Sequence, residues 1–317
     1  MTGVQTCALP IFAANPSIDK LFEVERLRIG EIHRPVAFAQ VPGGKGLNVA
    51  RAAHALGAEV TATGILAGHA GRWVAEALAA EGVRASFVWV EGETRASLSV
   101  ADRSGGGLTE FYEAGTEVGP VGWSRLEALV AELVPGAAWL TISGNAPPGA
   151  PPEGYARIVR LAQDAGVPVA LDAREAALAL AVEAGPALVK VNAEEAGGLL
   201  GRRVATAEEA REAAAEIRSR LPRGAAAIVT RGAEGAVVAL PDGGFLSGRL
   251  YARGPYPVGS GDAFLGGLVT ALERGEAWPE AVRLALGAAA ANAEVPGAGR
   301  LDAERARALA REAELGP

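Results

Sequence analysis

The chain has 317 residues, half of them hydrophobic, with 30 basic and 37 acidic side chains and a formal net charge of −7. That length supports one large domain or two modest ones around a sizeable core, which excludes a disordered chain, and the acidic balance without a basic patch argues against nucleic acid. A single cysteine, Cys7, excludes a disulfide framework and a CxxC metal site, and no run of about 18 uncharged apolar residues is present to span a membrane, so the composition fits a cytoplasmic enzyme.

In chain order, the opening MTGVQTCALPIF lacks the basic start of a signal peptide, and Pro10 cannot donate to a strand ladder. Residues 1–11 are therefore expected to be a non-native prefix in place of a first strand, with one domain over residues 12–317. From there strand-like runs alternate with amphipathic helices: VTATGIL then GRWVAEALAAEG, AAWLTIS then PEGYARIVRLAQDAG, VPVALDA then a short helix, ALVKVN then AEEAGGLLG. AEEAREAAAEIRSRL, AAAIVT and AVVALP follow. Apolar residues at i, i+3, i+4 mark the helices, and unbroken apolar runs mark strands buried on both faces. Such alternation predicts a mainly parallel sheet covered by helices. Residues 20–41 and 94–114 break the rhythm, reading as hairpins without helices, and are expected to form a small β-sheet beside the main domain.

In open parallel sheets ligands sit beyond the carboxyl ends of the strands. Four segments fall at such junctions. PVGSGDAF, residues 257–264, leads into the helix-like LGGLVTALERG. Gly259, Ser260 and Gly261 expose backbone N–H groups at a helix start, an anion hole reinforced by the helix dipole, with Asp262 beside it as a candidate general base. The plainer alternative is an acidic residue favoured at a helix N-terminus. The segment is neither a Walker A loop, having Ser260 where the lysine belongs, nor a G-x-S-x-G elbow, having Val258 at the first glycine position. PGGKGLNVAR, residues 42–51, offers close backbone approach at Gly43 and Gly44 with Lys45 and Asn48 adding a point charge and an amide. Of the 30 basic residues only Lys20, Lys45 and Lys190 are lysines, so each marks a place that suits a compact charge over a planar fork. KVNAEE, residues 190–195, reads equally as a capping box of Asn192 with Glu195 or as a carboxylate organising water around Mg²⁺. TRGAEG, residues 230–235, reads as a phosphate cradle or an ordinary glycine turn.

Together these segments resemble the ribokinase-like sugar kinases of the PfkB family: GGKGLNVARAAHALG is similar to the amino-terminal signature and PVGSGDAF to the carboxy-terminal one, with KVNAEE and TRGAEG between them in the expected order. The resemblance runs from about Asn15 to Arg300 and is best to the phosphosugar branch, through NPSID, GETRAS, TEFYEAG and ISGNAPPGAPPEGY. It implies a three-layer α/β/α sandwich with a mainly parallel central sheet and a small β-sheet lid over residues 20–41 and 94–114, a lid that often pairs two subunits into a homodimer.

For individual residues the resemblance implies Asp262 as the base, with the backbone of Gly259, Ser260 and Gly261 stabilising the transferring phosphoryl group. Asp19, Gly43, Gly44 and Asn48 would hold the sugar, and Lys45, Arg95, Ser143 and, from the lid, Arg34 would bind its existing phosphate. Lys190, Asn192, Thr230, Gly232 and Gly235 would contact ATP, Glu195 would reach Mg²⁺ through water, and residues 288–299, with Asn292 among them, would border the adenine. Arg174-Glu175 stand where the family commonly has Ser-Gly, and carry no role. The lysine of GGKG favours D-fructose 1-phosphate as acceptor, giving D-fructose 1,6-bisphosphate. Tagatose 6-phosphate and fructose 6-phosphate stay open, as do a non-phosphorylated sugar or nucleoside, a non-catalytic sugar-phosphate sensor, and a dinucleotide-dependent oxidoreductase, which the absence of G-x-G-x-x-G after a strand disfavours.

Overall fold

The computed structural model describes residues 9–105, 107–251 and 254–317. The first half of the chain forms β1 (Leu9–Ala13), β2 (Ser17–Val24), β3 (Ala37–Gly43), α1 (Lys45–Ala55), β4 (Val60–Ala67), α2 (Gly68–Ala80), β5 (Arg84–Val90), β6 (Ala96–Asp102), β7 (Gly107–Tyr112) and α3 (Pro120–Leu133). There follow β8 (Leu140–Ser143), α4 (Gly154–Asp164), β9 (Val169–Asp172), α5 (Glu175–Glu183), β10 (Leu188–Asn192), α6 (Ala193–Leu200), α7 (Ala207–Ser219) and β11 (Ala226–Thr230). The last stretch holds β12 (Ala236–Ala239), β13 (Phe245–Arg249), α8 (Ser260–Glu273), α9 (Trp278–Ala293), α10 (Ala303–Glu312) and β14 (Glu314–Gly316).

Among the described residues the main sheet has ten strands in the order β14-β13-β12-β11-β10-β9-β8-β1-β4-β5. It is parallel from β11 to β5 and antiparallel from β12 to β14. Every residue of β4, β8, β9 and β12 is buried, as apolar runs sandwiched between helices require. Helices α1, α2, α8, α9 and α10 build the core on one face; α3 to α7 build the other. In α4 the buried set Tyr155, Ile158, Val159 and Ala162 is the i, i+3, i+4 stripe of a surface helix.

The expectation of a foreign prefix through residue 11 is corrected by β1. Leu9 to Ala13 pair with β4 from Leu9↔Val60 to Ala13↔Gly64, and Ile11 and Phe12 pair with β8 on the other side. Pro10 is tolerated in this central strand because of its direction. The Leu9 amide donates to the Glu59 carbonyl on the β4 side, so alternation turns Pro10 toward β8, whose ladder begins only at Ile11. Phe12 then packs edge-on against Tyr155 and Trp123, ring centroids 5.6 and 6.2 Å away, pairs of about 0.5–1.5 kcal/mol each beyond area burial. The remainder of that prefix, residues 1–8, lies outside the described residues.

The two irregular segments form a separate sheet in the order β3-β2-β6-β7. Its strands begin at Ser17 and end at Gly43 and Tyr112, close to the expected spans. Period-2 alternation puts Asp19, Leu21, Glu23, Val41, Ser97 and Tyr112 on one face, around a cavity of about 480 Å³ closed on its far side by residues 255–258 and 297–298. The Tyr256 hydroxyl donates to Glu23 Oε1 at 3.0 Å, tying this sheet to the loop before α8.

Candidate active site

The strand order runs outward in opposite directions from β1 and β8, so the carboxyl ends of these strands leave a crevice between the βα loops. A cleft of about 1080 Å³ lies there, lined by residues of both sheets and of the α1 and α8 amino-termini. On one wall of the cleft, Asp19 is fixed at both oxygens: Ser17 Oγ donates to Oδ1 at 2.6 Å and the Gly44 amide to Oδ2 at 3.2 Å. Gly43 does not line the cleft; it has to be glycine because a Cβ there would lie 2.0 Å from the Asp19 carboxyl carbon. Asn48 and Ser143 are buried and line the cleft, and Asn48 Oδ1 and Ser143 Oγ have no hydrogen-bond partner. Buried polar atoms without partners are costly, so these two atoms are places for a hydroxyl-bearing ligand.

At the head of α8, Gly259 adopts φ +82°, and a Cβ would meet Ala298 Cβ at 2.7 Å. The Ser260 amide closes a turn on the Pro257 carbonyl and the Ala263 amide bonds Gly259, which leaves the amides of Gly261 and Asp262 without backbone partners among the described residues. Of the expected Gly259–Gly261 set, the Ser260 amide is spent on that turn, while the Gly259 and Gly261 amides make no hydrogen bond among the described residues, and the Asp262 amide is open beside them. Asp262 is 7 % exposed, and Asn48 Nδ2 donates to its Oδ2 at 2.9 Å. Burial pushes its carboxyl up to about 7, with nearby Lys45 and the Asn48 hydrogen bond opposing the rise.

The second buried carboxylate, whose charge acts on Asp262, behaves in the opposite sense. Asp172, wholly buried at the end of β9, accepts from Lys45 Nζ at 2.9 Å on one oxygen and from Lys190 Nζ at 2.7 Å on the other. Burial alone would raise its pKa; the two ammonium groups outweigh it and hold the carboxyl down at about 2. Lys45 also donates to Glu195 Oε1 at 2.7 Å. Although burial acts to lower its pKa, Asp172 and Glu195 hold it well above the usual lysine range. Asp172 is the principal residue that sequence reasoning left without a role. Its signal was an acid ending the apolar run VPVALDA, on the strand beside the one carrying Lys190.

On the opposite wall, Asn192 and Glu195 make the capping box of α6: Glu195 N donates to Asn192 Oδ1 at 2.8 Å and Asn192 N to Glu195 Oε2 at 2.9 Å. Both Glu195 oxygens are therefore occupied, and among the described residues no group of three or more His, Cys, Asp or Glu could hold a metal. This donor set suits Mg²⁺ arriving with a nucleotide and keeping its water shell, and does not suit an all-protein cage. Thr230, Gly232 and Gly235 line the cleft, with Gly232 opening a 3₁₀ turn between β11 and β12. Gly235 has a packing reason as well, since a Cβ would lie 2.0 Å from the Gly248 carbonyl oxygen. Lys190 lines the cleft too, its ammonium 3.2 Å from where a Cβ on Gly261 would stand. Leu286, Ala289, Ala290 and Ala293 of α9 complete an apolar wall.

Several expected residues are placed differently. Asn292 does not line the cleft: it is fully buried, its Nδ2 donating to the Val258 carbonyl at 2.9 Å and its Oδ1 accepting from the Gly299 amide at 2.8 Å. It braces the loop before α8. Arg34 lies exposed between β2 and β3, away from the cleft. Arg95 lines the cleft but is held by the Asn15 carbonyl at 3.3 Å and Ser97 Oγ at 3.0 Å. Arg51, next to the GGKG segment and unassigned from sequence, is buried; it donates to the carbonyls of Pro42 and Ala298 and to both oxygens of Glu81. It joins the end of β3 to the loop after α9.

A cleft between the two halves of a parallel sheet, walled by a separate small sheet, marks the ribokinase-like class of α/β proteins. Within that class, the family model described as pfkB family carbohydrate kinase matches residues 13–305, and the chain belongs to this family. It is 32 % identical over 288 residues to the 1-phosphofructokinase of Rhodobacter capsulatus, covering 88 % of each chain. Phosphofructokinase-2 of Escherichia coli in complex with fructose-6-phosphate superposes with a TM-score of 0.87 at 26 % identity, over 97 % of this chain and 99 % of that one. The tetrameric inhibited form of the same enzyme gives 0.87 at 27 % identity, over 96 % and 98 %.

Proposed function

We propose that this carbohydrate kinase transfers the terminal phosphoryl group of ATP to a hydroxyl of D-fructose 1-phosphate, giving ADP and D-fructose 1,6-bisphosphate. The observation that carries the reading is Asp262: a buried carboxyl near neutral pKa, held by Asn48 beside two unpartnered amides at a helix head. A base tuned toward working pH, with donors for developing phosphate charge next to it, is the equipment phosphoryl transfer to an alcohol needs. Asp262 takes the acceptor proton, and the amides of Gly261 and Asp262 with Lys190 meet the charge on the phosphoryl oxygens. Asp19, Gly44, Asn48 and Ser143 orient the sugar, with Lys45 and Arg95 facing its phosphate. Bound with the nucleotide, Mg²⁺ neutralises charge on the phosphates, and Asn192 and Glu195 are the residues to hold its waters. Thr230, Gly232 and Gly235 receive the nucleotide phosphates.

The 1-phosphate preference rests on Lys45 in GGKG and on the R. capsulatus relative. Fructose 6-phosphate is the second reading, favoured by the ligand named with the E. coli structure. The small sheet serves as a lid and as the contact of a homodimer in this proposal, supported by Phe38 and Phe111 standing exposed on its outer face and by the tetrameric E. coli form. No described helix is long and apolar enough to cross a membrane. The test is ADP release with Mg²⁺-ATP against fructose 1-phosphate, fructose 6-phosphate, tagatose 6-phosphate, fructose, ribose and adenosine. Highest kcat/KM on fructose 1-phosphate is expected; preference for a 6-phosphate moves the acceptor, and turnover of adenosine or ribose alone overturns the phosphosugar reading.

A further inference from the structure

We infer that Arg174 is a phosphate-binding residue of the cleft, an assignment that deepens the kinase reading above and rests on it. β9 lies between β8 and β10, and so between the acceptor wall and the nucleotide wall. Its carboxyl end carries Asp172 into the interior and, two residues on, Arg174 to the cleft, which it lines together with Lys190, Asn192 and Asp262.

The charges on the cleft lining decide the argument. Lys45 is bound to Asp172 and Glu195, Lys190 to Asp172, and Arg95 to the Asn15 carbonyl and Ser97. Arg174 makes no side-chain hydrogen bond or ion pair among the described residues. It is the cation of the lining that a ligand gains without first displacing an internal partner. Its planar fork matches the oxygen geometry of phosphate, and both substrates of the proposed reaction carry phosphate.

The backbone supplies a second observation. Glu175, the next residue, sits at φ +56°, a left-handed conformation that non-glycine residues avoid. Such strain persists where the surrounding structure over-determines it, often at ligand sites. Here it turns the chain from β9 into α5 directly behind Arg174. At this junction the chain carries a cation and tolerates an unfavourable backbone beside it.

Calorimetric titration tests the assignment without requiring turnover. Wild type, Arg174→Gln and Arg174→Lys are each titrated with a non-hydrolysable ATP analogue and, separately, with fructose 1-phosphate, and the melting temperature of each unliganded protein is recorded. Arg174→Gln is expected to weaken one of the two ligands by about tenfold while the other stays within about twofold, with Arg174→Lys recovering part of the loss. The ligand that weakens shows which phosphate the guanidinium meets. Neither affinity moving beyond about twofold overturns the assignment. So does an equal loss for both ligands that lysine does not rescue, because a packing defect acts that way. A wild type that binds the nucleotide analogue but phosphorylates no sugar phosphate defeats the proposed function while leaving this result readable.

Discussion

Two buried carboxylates, Asp262 lining the cleft and Asp172 in the interior at the end of β9, have been driven in opposite directions. Asp172, at the end of β9, receives an ammonium on each oxygen and stays ionised to about pH 2. Asp262, at the head of α8, receives one neutral amide and holds its proton up to about pH 7. Burial is similar; partners decide. Asp172 is the charge that organises two lysines, and in the proposed reaction Asp262 is the group that exchanges a proton. Environments that push paired titratable groups apart are how a single site divides acid–base work from charge organisation.

The largest expected effect comes from removing the exchangeable member. Asp262→Asn keeps the shape and the neighbours of the helix head but cannot accept a proton, so kcat should fall by about 10²–10⁴ while nucleotide affinity holds. Steady-state kinetics with a parallel binding titration checks this; near-normal kcat would remove Asp262 from the role of base.

Removing the other member should act first on the fold. Asp172→Asn leaves Lys190 buried without its partner and Lys45 with Glu195 alone, so a loss of about 3 kcal/mol in urea unfolding is expected, the low end for breaking a buried ion pair because Glu195 remains. A variant as stable as wild type would mean the lysines are solvated without Asp172.

The third test reads the contrast through pH. As Asp262 must be ionised to act, kcat/KM should rise about tenfold per pH unit below 7 and level off above about pH 8, the profile of a single group titrating near 7. Stability should carry the reverse sign for this residue. Its folded pKa lies above the ordinary 3.8, so the unfolded chain gives up the proton first, and the folded state loses stability as pH rises from about 4 to about 7. Asp172, depressed to about 2, contributes stability above pH 4 that is lost as pH falls toward 2. An activity profile flat from pH 5 to 8 would erase the distinction between the two acids.

Much of the molecule was legible from local patterns. Alternating apolar runs and amphipathic stripes gave the covered parallel sheet, and the two stretches without helical period became the separate small sheet. GSGD and GGKG stood out because glycine at a strand-to-helix junction marks close approach of backbone to something else, and all of the first and Gly44–Gly46 of the second line the cleft. Asn192 and Glu195 form the capping box their spacing allowed. Pro10 misled because the rule against proline in strands ignores which side its nitrogen faces, a matter settled only by where β8 begins. Asn292 misled because its neighbours Ala289, Ala290 and Ala293 do line the cleft, while its own side turns inward to Val258 and Gly299.

By itself, the sequence determined the fold class, the helix-head loop with its aspartate and the glycine-rich loop before α1, because each is encoded in residues adjacent along the chain. Tertiary structure alone decided the electrostatics. Lys45 meets Asp172 across 127 positions and Glu195 across 150, and Asn48 meets Asp262 across 214. Those pairings follow from the order of strands in the sheet, and whether a buried carboxylate is locked or free depends on the partners that order places within 3 Å of it.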